Sequence, residues 1–140
     1  MKVLSIWQPY ASLAVHGFKT VETRSYPVGE WAHGTRIGIA STKRIVAAQR
    51  AVMKDEEFLK QYGKTGLPEL KELPHGFLIG TAIIETCYRI AQCHLGALGA
   101  ERVFGDWRPG RYAWVLKDPE VWAEPVPVRG LQRMWNFQPA

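Results

Sequence analysis

The chain has 140 residues, 46% of them apolar and 22% charged. That size and balance suit one globular domain, 1–140, able to bury roughly two-thirds of its unfolded surface without disulfides or a metal to hold the core. Lysine and arginine number 18 against 13 aspartates and glutamates, a net charge of +5, which favours polyanionic partners because each phosphate neutralised releases counterions.

Val3 to Ile6 reads as a short strand leading into Gln8-Pro9-Tyr10. Pro9 suits the first position of a helix, where its missing N–H is not needed, and Ala11, Leu13, Ala14 and Val15 continue that helix to Gly17. Thr20 to Arg24 alternates, with Val21 and Thr23 on one face and Thr20, Glu22 and Arg24 on the other. Tyr26 to Gly29 breaks this strand, and His33-Gly34 marks a further turn. Arg36 to Ser41 is the next strand. Thr42 is placed to cap a helix from about Lys43 to Tyr62, whose acidic Asp55-Glu56-Glu57 is a solvated face or the cap of a second helical piece. Residues 64 to 75 form a mobile surface loop.

Phe77 to Ile90 is the strongest strand signal, long and apolar, with Gly80 as a candidate bulge. Its apolar part, Phe77 to Ile84, is interrupted by Gly80 and Thr81 and is too short to span a membrane. Residues 91 to 106 are irregular or weakly helical. Arg111 to Leu116 is a strand that Asp118-Pro119 turns, and Val121 to Val128, with Pro125 and Pro127, is an edge strand. Leu131 to Trp135 reads as a turn of helix. Strands with few helices and mostly antiparallel neighbours give an α+β fold, a small mixed or antiparallel β-barrel flanked by two or three helices.

Cys87 and Cys93 have no second pair, and His94 beside them leaves a zinc site short of ligands. They read as free thiols of a reducing compartment. No signal-like segment opens the sequence, so a cytoplasmic protein is expected, with no membrane, metal or cofactor. The oligomeric state is not encoded in any visible pattern.

Three clusters carry candidate chemistry. Lys19, Glu22 and Arg24 fall within one short stretch after a helix end; a point cation, a carboxylate and a forked guanidinium suit a phosphate, a base edge or simple mutual pairing. Ser41, Thr42, Lys43 and Arg44 place hydroxyls and cations at an expected helix start, where backbone N–H groups attract anions. Trp107, Arg108 and Arg111 interleave aromatic and guanidinium groups, as a stacking surface for bases requires. Trp7, Trp114 and Trp135 are assigned to packing. No Ser/His/Asp order, phosphate-binding glycine loop or HExxH pattern is present.

The segments Leu4 to Leu13, Gly17 to Tyr26, Arg36 to Lys43, Gly76 to Gly80, Tyr112 to Leu116 and Pro127 to Trp135 together resemble ASCH domains of the PUA-like superfamily. The pattern is similar to the ASCH domain of the activating signal cointegrator complex and to stand-alone microbial and phage ASCH proteins. The resemblance implies a PUA-like barrel with a cleft beside the first helix that binds RNA or single-stranded DNA, or a nucleotide-like ligand. Carried over by position, the cleft would be lined by Gln8, Lys19, Glu22, Arg24, Ser41 and Lys43. Some small ASCH proteins are hydrolases of acetylcytidine with a Lys, Thr and Glu set, and another has been described as a ribonuclease. Lys19 stands at the lysine position, the threonine position holds Glu22, and Glu101 is the candidate partner glutamate. The expectation is therefore a nucleic-acid-binding module. The alternative is a small hydrolase in which Lys19 and Glu22 exchange protons. A protein-interaction module using the 64–75 loop is a third reading.

Overall fold

The computed structural model describes residues 1–138, with every side chain among them except that of Ala97; Pro139 and Ala140 of the expected domain lie outside it. In chain order the main elements are β1 (Lys2–Ile6), α1 (Tyr10–Val15), β2 (Val21–Arg24), β3 (Thr35–Ser41), α2 (Ala47–Val52), α3 (Glu56–Gly63), β4 (Phe77–Arg89), β5 (Tyr112–Pro127) and β6 (Met134–Asn136). Short 3-10 turns fill the connections, at Glu30–Ala32, Leu70–Glu72, Gln92–Ala97 and Gly99–Arg102. The strands form one six-stranded sheet in the order β2-β5-β4-β3-β1-β6. All neighbours are antiparallel except β1 and β3, which run parallel with Leu4 opposite Ile39. The sheet curls into a half-barrel, an α+β fold whose open seam lies between its two edges.

Alternation along β1 and β3 sorts their side chains into two cores. Leu4, Ile6, Ile37 and Ile39 pack inward with Ile84, Trp114 and the Ala11, Ala14 and Val15 face of α1. Val3 and Ala40 point the other way, to Leu78 and Trp135. The opposite side of α1 offers Leu13 to Phe58, Tyr62 and Phe104, so α1 is sandwiched between the sheet and α3. Among the described residues no helix is long and apolar enough to cross a membrane.

Four expectations are corrected. The helix expected over 43–62 is two helices: α2 begins only at Ala47, after a bend at Lys43 and Arg44, and Asp55 opens α3 as the cap of the second helical piece that the sequence offered, accepting the Phe58 N–H at 2.9 Å. Asp118-Pro119 does not end a strand. β5 passes through it at a bulge, with Asp118 at φ 48°, because pairing to β4 on both sides outweighs the local turn signal. Leu131 to Trp135 is not helical; Met134, Trp135 and Asn136 pair with Leu4, Val3 and Lys2 of β1. The 64–75 segment is tied down by buried Leu70 and Leu73 and by the Tyr62 hydroxyl, which donates to the Pro68 carbonyl at 2.6 Å.

Other features agree with the sequence. β4 runs almost as expected, and Gly80 sits at a register shift where a Cβ would strike the Glu120 carbonyl. The proline-rich half of β5 has a neighbour on one side only, β4.

Candidate functional site

The open seam of the half-barrel holds a cleft of about 630 Å³. Its walls are the end of β1, all of β2 after Val21, the loop before β5 and the segment before β6. α1 delivers the first of its residues. Gly17 takes φ 81° just past the helix, and the N–H groups of Phe18 and Lys19 both donate back to the Leu13 carbonyl, at 2.9 and 3.0 Å. That reversal aims the Lys19 side chain inward, where it is 2% exposed.

The Lys19 ammonium donates to the carbonyls of Val21 and Phe104, each at 2.6 Å, and lies 3.5 Å from Glu22 Oε1. Three acceptors thus meet the three N–H groups of an ammonium. Burial pulls the Lys19 pKa below the ordinary lysine value, and the Glu22 carboxylate works against that pull. Glu22 is itself buried, and its Oε2 accepts the Arg24 Nε–H at 2.9 Å. Arg24 also donates to the Ser5 carbonyl across the seam at 3.0 Å. The Tyr10 ring lies 5.6 Å from the Lys19 nitrogen, and burial with the nearby Glu22 charge pushes its phenol up to about 12.

The far wall is the loop ahead of β5. Glu101 accepts the N–H groups of Thr20 and Val21 at 2.8 and 3.3 Å and so fixes the start of β2. Thr23 accepts the Asp106 N–H at 2.9 Å, and Arg111 donates to the Asp106 carbonyl at 3.2 Å. The Asp106 carboxylate is bound by Arg108, with Arg111 at 3.5 Å, and the Arg108 hydrogen bond holds its pKa below the usual range.

In all, four cations (Lys19, Arg24, Arg111 and Arg133) and two carboxylates (Glu22 and Asp106) line the cleft. Arg133 is exposed and lies 4.3 Å from the Tyr26 ring centre; among the described residues it has no ion pair. Two hydroxyls in the wall, Tyr26 Oη and Thr42 Oγ1, are buried without a hydrogen-bond partner among the described residues. Trp7 stands at the rim, 44% exposed. Among the described residues no cluster of His, Cys, Asp or Glu is placed to hold a metal.

Of the sequence candidates, the structure therefore brings Lys19, Glu22, Arg24, Thr42 and Arg111 together. The others lie apart. Gln8 is fully buried and braces α1, donating to Ser12 Oγ and the Pro74 carbonyl and accepting the Ser12 N–H. Ser41 is buried too, its hydroxyl bonded to the Phe77 backbone. Lys43 and Arg44 are exposed in a bend ahead of α2, which begins only at Ala47, so the helix-start anion site expected there does not form. Trp107 is packed against Val21, Ile90 and Ala113 and donates to the Glu101 carbonyl at 2.8 Å; it is core, not a stacking surface. Arg108 is exposed and spent on Asp106. Trp7, assigned to packing, is instead at the cleft. Tyr26, Asp106 and Arg133 carry no sequence signal that sets them apart, because only the closure of the sheet edges brings them to the seam.

No family model matches the sequence, and no curated protein does. Solved structures do match in shape. The crystal structure of ASCH from Zymomonas mobilis has a TM-score of 0.62 to this chain at 19% identity, covering 98% of this chain and 87% of that one. A serine-to-alanine variant of that protein gives 0.60 at 19% identity, with 98% and 87% covered. A tyrosine-to-phenylalanine variant gives 0.59 at 20% identity, with 98% and 89% covered. The chain therefore has the fold of that ASCH protein, a mixed six-stranded half-barrel.

Proposed function

We propose that the chain is a nucleic-acid-binding module that seats a nucleotide of RNA, or of single-stranded DNA, in the seam cleft. The observation that carries this reading is an open cleft lined by four cations against two carboxylates. Its volume of about 630 Å³ falls within the range of small-ligand sites. Lys19, Glu22 and Arg24 form a floor that is already hydrogen-bonded, so it loses little freedom when a ligand arrives. Arg133, which has no ion pair among the described residues, is the cation best placed to take a phosphate. Contacts of that kind hold a backbone but carry little sequence information.

The test is fluorescence anisotropy with a labelled single-stranded RNA. Affinity is expected to fall by about tenfold or more between low and moderate salt, and Arg133→Gln to make the salt slope shallower by about one unit. Immeasurable binding at low salt, or binding indifferent to both salt and Arg133→Gln, overturns the reading.

One observation favours a second reading, a small hydrolase acting on RNA or on an acylated nucleoside. A buried lysine with a lowered pKa lies within 3.5 Å of a buried carboxylate at the cleft floor. Glu22 would then serve as the acid–base group, and Glu22→Gln would abolish turnover while leaving binding largely intact. Lack of product from both acetylcytidine and RNA oligomers removes it.

A further inference from the structure

Arg133, Tyr26, Trp114 and Arg24 form a chain of contacts that runs from the cleft into the core and back. The Arg133 guanidinium covers the Tyr26 ring at 4.3 Å, Tyr26 meets Trp114 edge-on at 5.6 Å, and Arg24 lies 5.9 Å from the Trp114 ring. Trp114 is itself pinned, its Nε1–H donating to the Tyr26 carbonyl at 3.1 Å. Tyr26 is thus held by Trp114 and the core on the protein side and carries one arginine over its ring. That arginine is exposed and holds φ 61°, a backbone conformation that a non-glycine residue adopts only where its surroundings impose it. In the same cleft wall, the Tyr26 and Thr42 hydroxyls are buried with no partner among the described residues. A native fold rarely leaves such groups unpaired unless something else is meant to pair them.

We propose that Tyr26 is the base platform of the cleft and that the Arg133 side chain is its removable cover. A nucleobase displaces the guanidinium from the Tyr26 ring, the freed guanidinium takes the 5′-phosphate of the same nucleotide, and Thr42 Oγ1 bonds a polar edge of the ligand. Guanidinium and base are both flat and both stack on an aromatic face, so the exchange preserves the contact that Tyr26 makes. The ligand class is a nucleoside 5′-phosphate, free or within a strand, and recognition depends on its base as well as its phosphate. This assignment rests on the nucleic-acid reading above, and deepens it by naming the residues that read the base.

The experiment is an NMR titration of uridine 5′-monophosphate, adenosine 5′-monophosphate and ribose 5-phosphate, with RNA-oligomer anisotropy in parallel. The wild-type protein is expected to prefer the nucleotides to the sugar phosphate by about tenfold. Tyr26→Leu should remove that preference, and Tyr26→Phe, which keeps the ring and serves as the control for folding, should retain it. Arg133→Gln should weaken nucleotide and sugar phosphate alike. Thr42→Val should weaken nucleotide binding by about threefold yet raise the Tm by a few degrees, since it removes an unpaired buried hydroxyl. If the oligomer binds but Tyr26→Leu keeps the base preference, the platform assignment falls and the nucleic-acid reading stands. A fall in Tm for Thr42→Val would show that its hydroxyl is already satisfied, and removes Thr42 from the proposal. If neither oligomer nor nucleotide binds the wild-type protein, both readings fall together.

Discussion

Arg24 and Ser5 join the two sides of an open barrel. Arg24 ends β2, the outermost strand at one edge of the sheet, and its guanidinium donates to the Ser5 carbonyl of β1 at 3.0 Å. The same guanidinium bonds Glu22 through Nε, so one planar fork serves both the seam and the cleft floor. Lysine offers a single charged point in place of that fork. Arg24→Lys is therefore expected to cost about 1–2 kcal/mol of stability in urea unfolding, as well as weakening RNA binding. An unfolding midpoint equal to that of the wild type would show that the fork contributes nothing to closure.

Lys19 is at once a cleft residue and a structural one. Replacing it by Met leaves the Val21 and Phe104 carbonyls without their donor and Glu22 with Arg24 alone. Breaking one side of a buried ion pair costs about 3 kcal/mol or more, so Lys19→Met is expected to unfold early and to be a poor probe of binding. The double variant Lys19→Met/Glu22→Gln should be less destabilised than the sum of the two singles, by about 1 kcal/mol or more. Additive effects in denaturant melts would mean that the two side chains do not act as a unit.

How far the site could be read from the sequence follows from which forces are local. The Lys19–Glu22–Arg24 cluster is legible because Glu22 and Arg24 share one face of β2 and Lys19 stands just ahead of it, so only α1 and β2 are needed to place them. Gln8 and Ser41 match the family pattern, yet they turn inward to satisfy backbone groups of Ser12 and Phe77, a choice set by tertiary neighbours. Asp106 and Arg133 come from opposite sides of β5 in the chain and meet at the seam only because the sheet curls. The helix expected at Leu131 to Trp135 fails for a similar reason. The unpaired edge of β1 offers Met134 to Asn136 a ladder that a single isolated helical turn cannot match.

Asp106 gives the site an acid limit. Its pKa is held low chiefly by the Arg108 hydrogen bond, so the unfolded chain takes up a proton before the native one does. The stability this contributes is fully present above the ordinary carboxylate value of 3.8 and is lost as pH falls through the lower native value. Asp106→Asn should be less stable than the wild type near neutrality, and the gap should close below about pH 4 in urea melts run across pH. A gap that stays constant down to low pH would assign the difference to packing instead of charge.

Two tryptophans exchange the roles their neighbourhoods in sequence suggest, and they separate binding from folding. Trp107 sits among arginines in the chain but is buried in the fold, where its ring fills the space between Val21, Ile90 and Ala113 and its N–H is satisfied by Glu101. Trp107→Ala is expected to cost about 3 kcal/mol or more from the cavity and the lost hydrogen bond. Trp7 follows an apolar strand and is nonetheless 44% exposed at the cleft rim. Trp7→Ala should cost less, about 1–2 kcal/mol, because close to half of its surface stays in water in the fold. At the rim its ring is placed to stack on a base next to the nucleotide seated inside. Loss of Trp7 should therefore weaken a single-stranded RNA oligomer by about tenfold while leaving a mononucleotide almost unaffected. An equal loss for both ligands in parallel titrations would move Trp7 from the rim into the nucleotide seat itself, and unaltered binding of both would leave it outside the interface.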